Sequence, residues 1–153
     1  FLEEPKKMPE MINVLTILTF IGSGLGIIGA LWSFTKAKAN YDALSSANLD
    51  QLPDFVKKLS GGDPLEIARR AYEMRFPILL STLIACALCI AGAVQMRRLK
   101  KTGFTIYTIG ELLPIIISVV LMGSSATGLG SIFGFCIAIL FVVLYATQLK
   151  YLK

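Results

Sequence analysis

Arg97-Arg98-Leu99-Lys100-Lys101 is a basic stretch with no acidic neighbour, set between an apolar run ending near Met96 and another beginning near Phe104. A tight turn between two membrane spans has this form. Clustered Lys and Arg in a short loop are retained on the cytoplasmic side during insertion, so these five residues set the direction of every other span. Outward from the turn, the chain divides into four apolar segments, each close to the ~20 helical residues that cross a hydrocarbon core. The expected spans cover residues 11–34, 76–96, 104–122 and 131–149. An exterior loop at 35–75, the basic cytoplasmic turn at 97–103 and an exterior turn at 123–130 join them, with a cytoplasmic lead-in at 1–10 and a tail at 150–153. The expected fold class is all-α integral membrane. It is a four-transmembrane-helix bundle, one membrane domain, with short amphipathic helices in its first exterior loop.

Composition points the same way, because 55% of the 153 residues are hydrophobic and 16% are charged, more apolar than an ordinary soluble domain. The net charge of +5 is carried by Lys and Arg at the ends of apolar runs, without an aromatic-interleaved basic face. That distribution fits topology and anionic headgroups and excludes nucleic acid as the partner. Arg97, Arg98, Lys100 and Lys101 are the expected headgroup contacts, and the bilayer is the first expected partner. Lys6, Lys7, Lys150 and Lys153 fall on the same side in an even-span arrangement, which places both termini in the cytoplasm of a bacterial inner (plasma) membrane. Residues 1–10, with two prolines and five charges, are too polar for a signal-peptide apolar region. The chain has no His, which removes imidazole-ligated metals and His-based acid–base chemistry.

Between Lys36 and Arg75 lies the one sizeable polar region, with seven basic and six acidic side chains and too few residues for a core of its own. Leu52, Phe55, Val56 and Leu59 recur at i, i+3, i+4 and i+7 ahead of Ser60-Gly61-Gly62, the pattern of a short amphipathic helix with a stop. Asp63-Pro64-Leu65-Glu66 then reads as an N-cap, a proline at the first helical position and a capping-box acid. Leu65, Ala68 and Tyr72 give the second helix an apolar stripe, and Glu66 can pair with Arg69 or Arg70. This exterior segment, residues 36–75, is a candidate partner surface.

Inside the spans the informative residues are few. Gly22, Gly26 and Gly29, and Gly130 with Gly134, recur at spacings that let a second helix approach closely, and they are assigned to helix packing. Cys86 and Cys89 form Cys-Ala-Leu-Cys, a spacing known from redox pairs, but a thiolate deep in hydrocarbon is costly. They are therefore read as small packing residues. Glu111 is the one acid within an apolar run. Intramembrane carboxyls mark functional sites by default, yet Asn13, Gln95 and Gln148 are expected at a similar depth, so the four are read as a polar cluster near the cytoplasmic face. Pro114 opposes the carbonyl of Gly110 and predicts a local break beside Glu111, as in transporter helices. Residues 123–131 are small and uncharged and lack the Gly-Lys-Ser/Thr of a phosphate loop.

Gly29-Ala30-Leu31-Trp32 superficially resembles the Gly-Leu-Trp element of claudin-type four-span proteins. That family continues into a strand-rich loop with a cysteine pair, whereas this loop has no cysteine and reads helical, so no family assignment follows. With no Ser/His pair and no paired intramembrane carboxylates, the expectation is a non-enzymatic protein that needs no cofactor and no metal. It would be a structural or accessory subunit bound to other membrane subunits. The alternative is a small-solute or proton-coupled transport or channel component acting through Glu111 as an oligomer.

Overall fold

The computed structural model describes residues 9–47, 53–123 and 128–152, with the surroundings of Val56 and Gly130 outside that description. Lys6, Lys7, Leu52, Lys153 and residues 124–127 of the 123–130 turn likewise lie outside the described residues. The chain folds into α1 (Glu10–Ser46), α2 (Asp54–Ser60), α3 (Pro64–Glu73), α4 (Arg75–Arg97), α5 (Lys101–Met122) and α6 (Leu129–Thr147), followed by a 3₁₀ turn at Leu149–Tyr151. No strand occurs among the described residues. Four helical stretches are long and apolar enough to cross a membrane: α1, α4, α5 and Ser131–Tyr151.

The largest departure from the expected boundaries is α1, whose 37 residues run well past position 34. At 1.5 Å per residue it is about 55 Å long, against a hydrocarbon core of about 30 Å. Hydropathy ends at the lysines, but the helix does not, because residues 35–46 contain neither glycine nor proline. An apolar line of Phe34, Ala37, Tyr41 and Leu44 keeps the helical period, and α3 and the start of α4 cover it. Phe34 meets Phe76 edge-on with centroids 5.1 Å apart, and Tyr41 stacks on Tyr72 at 6.0 Å.

Both short helices form near their expected ends. Gly61 adopts φ 82 and stops α2, a left-handed position that glycine takes without a Cβ penalty. The Asp63 carboxylate accepts a hydrogen bond from Leu65 N–H at 3.0 Å and starts α3. Glu66 does not close the capping box; it accepts from Arg70 Nη2 at 2.8 Å instead. On the apolar stripe of α2, Phe55 is 69% exposed, while the helix itself lies beside α6.

The closest pairing joins α4 to α5, and the basic turn makes it possible. Leu99 N–H bonds to Met96 C=O at 2.9 Å and Lys100 N–H to Gln95 C=O at 3.1 Å, the two bonds of a Schellman stop. Leu99 sits at φ 58, where glycine is the usual occupant and another residue costs about 1–2 kcal/mol. Its side chain packs against the core cluster, which offsets that cost. Beyond the turn, Gly92 of α4 faces Gly103 and Tyr107 of α5. A Cβ on Gly92 would lie 2.7 Å from Tyr107 N and 2.8 Å from Gly103 O, so the backbones meet with no room for a side chain. Pro114 leaves α5 a single helix through to Met122; the expected break does not interrupt it.

Packing sorts the chain's two ends. Ile12, Leu15, Met96 and Leu152 belong to one core cluster, with Leu99, Phe104 and Leu149 against it. The start of α1, the basic turn and the C-terminal turn therefore lie together. At the opposite end Arg70 Nη1 donates to Met122 C=O at 3.4 Å, and Gly128 abuts the Ser60 carbonyl. The polar segment thus lies beside Met122 and Gly128. The α6 helix is the most lightly held of the long helices, and Phe133, Ile139, Leu140 and Val143 on it are exposed.

Candidate functional site

Midway along the long helices, side chains of α1, α4, α5 and α6 surround a cavity of about 290 Å³. Its polar groups come from different helices. Tyr107 is 1% exposed, and burying a phenol without a hydrogen-bond partner is costly. One turn farther along α5, Glu111 supplies that partner: Tyr107 Oη donates to Glu111 Oε1 at 2.8 Å. Tyr145 of α6, also 1% exposed, packs its ring 4.5 Å from the Tyr107 ring. Its hydroxyl is 2.8 Å from Thr19 Oγ1 of α1. Two tyrosines in contact therefore link α1, α5 and α6 around a half-buried carboxylate.

Of the four residues expected to form one polar cluster, the structure brings none to another by a hydrogen bond among the described residues. Gln95 lies at the basic turn and accepts from Thr102 Oγ1 at 2.8 Å. Gln148 donates to its neighbour Thr147 at 3.0 Å. At Asn13 the backbone carbonyl, not the amide, accepts from the buried Thr16 hydroxyl at 3.0 Å. Glu111 lies several residues deeper than the turn and accepts from Tyr107. Arg97, Arg98, Lys100 and Lys101 are all exposed at the α4–α5 turn.

The glycines divide sharply. Gly26 has Cys86 Sγ 3.3 Å from where a Cβ would stand, whereas Gly22, Gly29 and Gly134 have open space. Within the long helices, the glycines most closely packed by the chain itself are Gly92, Gly103 and Gly110, and sequence reading did not assign them to packing. Gly103 and Gly110 lie seven residues apart, two turns on one helix face with Tyr107 between them, a signal that was available. Tyr107 and Glu111, at i and i+4, were the second such signal. Cys86 and Cys89 are buried free thiols, and Cys136 is an exposed one. Among the described residues no three His, Cys, Asp or Glu side chains converge on a common metal position. Chemically, the cavity wall offers one carboxylate (Glu111), one phenol (Tyr107), three hydroxyls (Thr19, Ser23 and Thr82) and two thiols (Cys86 and Cys89) around a small, largely apolar space.

Comparison with protein-family models, curated proteins and solved structures found no match to this chain.

Proposed function

We propose that the four long helices cross a bacterial inner membrane as a bundle, with both termini and the basic turn in the cytoplasm. The chain serves there as a structural or accessory subunit of a larger membrane complex. The observation that carries this reading is the open α1–α6 side. Gly22 and Gly134 both line the central cavity, and neither has an atom within 4 Å of an added Cβ. Gly92, Gly103 and Gly110 are matched by close neighbours within the chain; Gly22 and Gly134 are exposed, so the cavity opens between α1 and α6, where a helix of another subunit can approach. The polar groups fit a structural role: Tyr107 bonds to Glu111 within α5, and the Thr19–Tyr145 bond ties α1 to α6. The exposed Phe55 and Leu59 of α2 add a second contact surface in the polar segment.

Gly22→Leu and Gly26→Leu test it together, in protein isolated from native membranes in mild detergent. Gly22→Leu should release co-purifying subunits and leave the chain's own unfolding temperature unchanged. Gly26→Leu should lower that temperature, since its side chain meets Cys86. An unaltered set of co-purifying proteins in Gly22→Leu sinks the subunit reading.

The second reading, small-solute or proton-coupled transport through an oligomer, is favoured by one observation, the presence of Glu111 on the cavity wall. Intramembrane carboxyls facing cavities are the usual mark of ion and proton paths. A flux that disappears in Glu111→Gln, with unchanged stability, would replace the subunit reading by this one.

A further inference from the structure

A second and larger hollow, about 790 Å³, lies between the far half of α1, α3 and the start of α4. Its size is within the ~300–1,000 Å³ common to small-molecule sites, and its shape is polarised. One end reaches Gly26 and Thr82, at the depth of the apolar segments; the other reaches Asn40 and Ser60 in the polar segment. The walls between are apolar and narrow-sided, with Ala30, Ala37 and Ala68 leaving width between Phe34, Ile78 and Leu79.

Arg75 stands in this hollow where the apolar part of α4 begins. Its guanidinium carbon is 4.4 Å from the Tyr72 ring centroid, 5.3 Å from Phe76 and 5.7 Å from Phe34. The two arginines of α3 have acidic partners, Arg69 with Glu73 at 3.8 Å and Arg70 with Glu66 at 2.8 Å. Arg75 has no carboxylate within ion-pair distance among the described residues. A cation held against three aromatic rings, at the mouth of an apolar trough and without a counter-ion, is complementary to an anionic headgroup bearing an apolar tail. The groove thus has both halves of an amphiphile site at matching ends.

We infer that this groove binds one anionic phospholipid, its phosphate on Arg75 and an acyl chain lying between α1 and α4 toward Gly26 and Thr82. The inference rests on the membrane reading above and not on the subunit reading. The lipid would come from the leaflet opposite the basic turn.

The test uses the full chain in mild detergent, titrated with phosphatidylglycerol and phosphatidylcholine of equal chain length and with inorganic phosphate. Phosphatidylglycerol should bind about tenfold more tightly than phosphatidylcholine, the scale of one charge-assisted contact. Arg75→Gln should abolish that preference, and Arg69→Gln, which removes an exposed arginine already paired with Glu73, should keep it. Ala30→Phe, which fills the tail channel, should weaken both lipids equally. Equal binding of the two lipids, a preference that survives Arg75→Gln, or inorganic phosphate matching the lipid would each overturn the site. So would efficient disulfide linkage between two copies through Ala43→Cys at saturating lipid, because the groove would then be covered by a second chain.

Discussion

Replacing Gly92 by alanine adds one carbon at the place where α4 and α5 come closest. That carbon would stand 2.7 Å from Tyr107 N, 2.8 Å from Gly103 O and 2.8 Å from Tyr107 Cβ. Two of these atoms are backbone and cannot rotate aside, so the helices must part by several tenths of an ångström along the seam. Overpacking of this kind costs about 1–3 kcal/mol, and the better helix propensity of alanine returns up to about 1 kcal/mol. A rigid three-atom contact belongs near the top of the first range, leaving a net loss of about 2 kcal/mol. In a chain of this size that corresponds to a fall in Tm of about 4–8 °C. Gly29→Ala is the matched control: it has the same propensity gain and open space around the new carbon, so its Tm should hold or rise. Thermal unfolding of both variants in one detergent, followed by circular dichroism, makes the comparison. Equal Tm values for Gly92→Ala and Gly29→Ala would refute the close approach of α4 and α5.

Glu111→Gln retains an acceptor for the Tyr107 hydroxyl and should leave stability within about 1 kcal/mol of wild type, whereas Glu111→Leu strands that hydroxyl and should cost about 1–3 kcal/mol; the same melting assay reads both. Tyr145→Phe removes the α1–α6 tie to Thr19 while keeping the ring on Tyr107, and interhelical bonds of this type average about 0.6 kcal/mol in membranes. It should therefore raise hydrogen exchange in α6 with little change in overall Tm; unchanged exchange counts against the tie. In a background without native cysteines, Lys57→Cys should react with an impermeant thiol reagent applied outside intact cells, and Lys100→Cys only after lysis. The reverse pattern would invert the orientation.

How far the sequence could be read is best seen residue by residue. The Ser60-Gly61-Gly62 stop, the Asp63 cap and the turn at 97–101 were legible because each depends on local chemistry, a left-handed backbone or an orphan N–H beside its acceptor. Four long apolar helices were legible because hydropathy registers length and composition. The end of α1 was not, since hydropathy reports where a helix leaves an apolar setting and is silent on where it stops. The hydrogen-bond partners of the polar residues were not legible for a related reason. Asn13, Gln95 and Gln148 were grouped with Glu111 by depth along separate helices, but a hydrogen bond also needs rotation about each axis, which no single helix specifies. The partner that Glu111 takes, Tyr107, lay on its own helix one turn away, where spacing alone suffices. Glycine spacing carried the same ambiguity: it marks a thin flank and does not say whether this chain or another fills it.

The α4–α5 seam also bears on the order in which the protein takes shape. Its contacts join residues close in sequence across a connection of three residues, so closing them sacrifices little chain entropy. The ties of α1 to α6, Thr19 to Tyr145, span 126 positions and must wait for the last helix to be synthesised. The hairpin can therefore assemble as soon as Met122 has emerged, giving α1 a finished surface on which to settle through Gly26 and Cys86. In this sequence of events α6 is the latest and loosest arrival, and a change at the Leu99 turn would be felt first as delayed biogenesis rather than as a less stable finished fold.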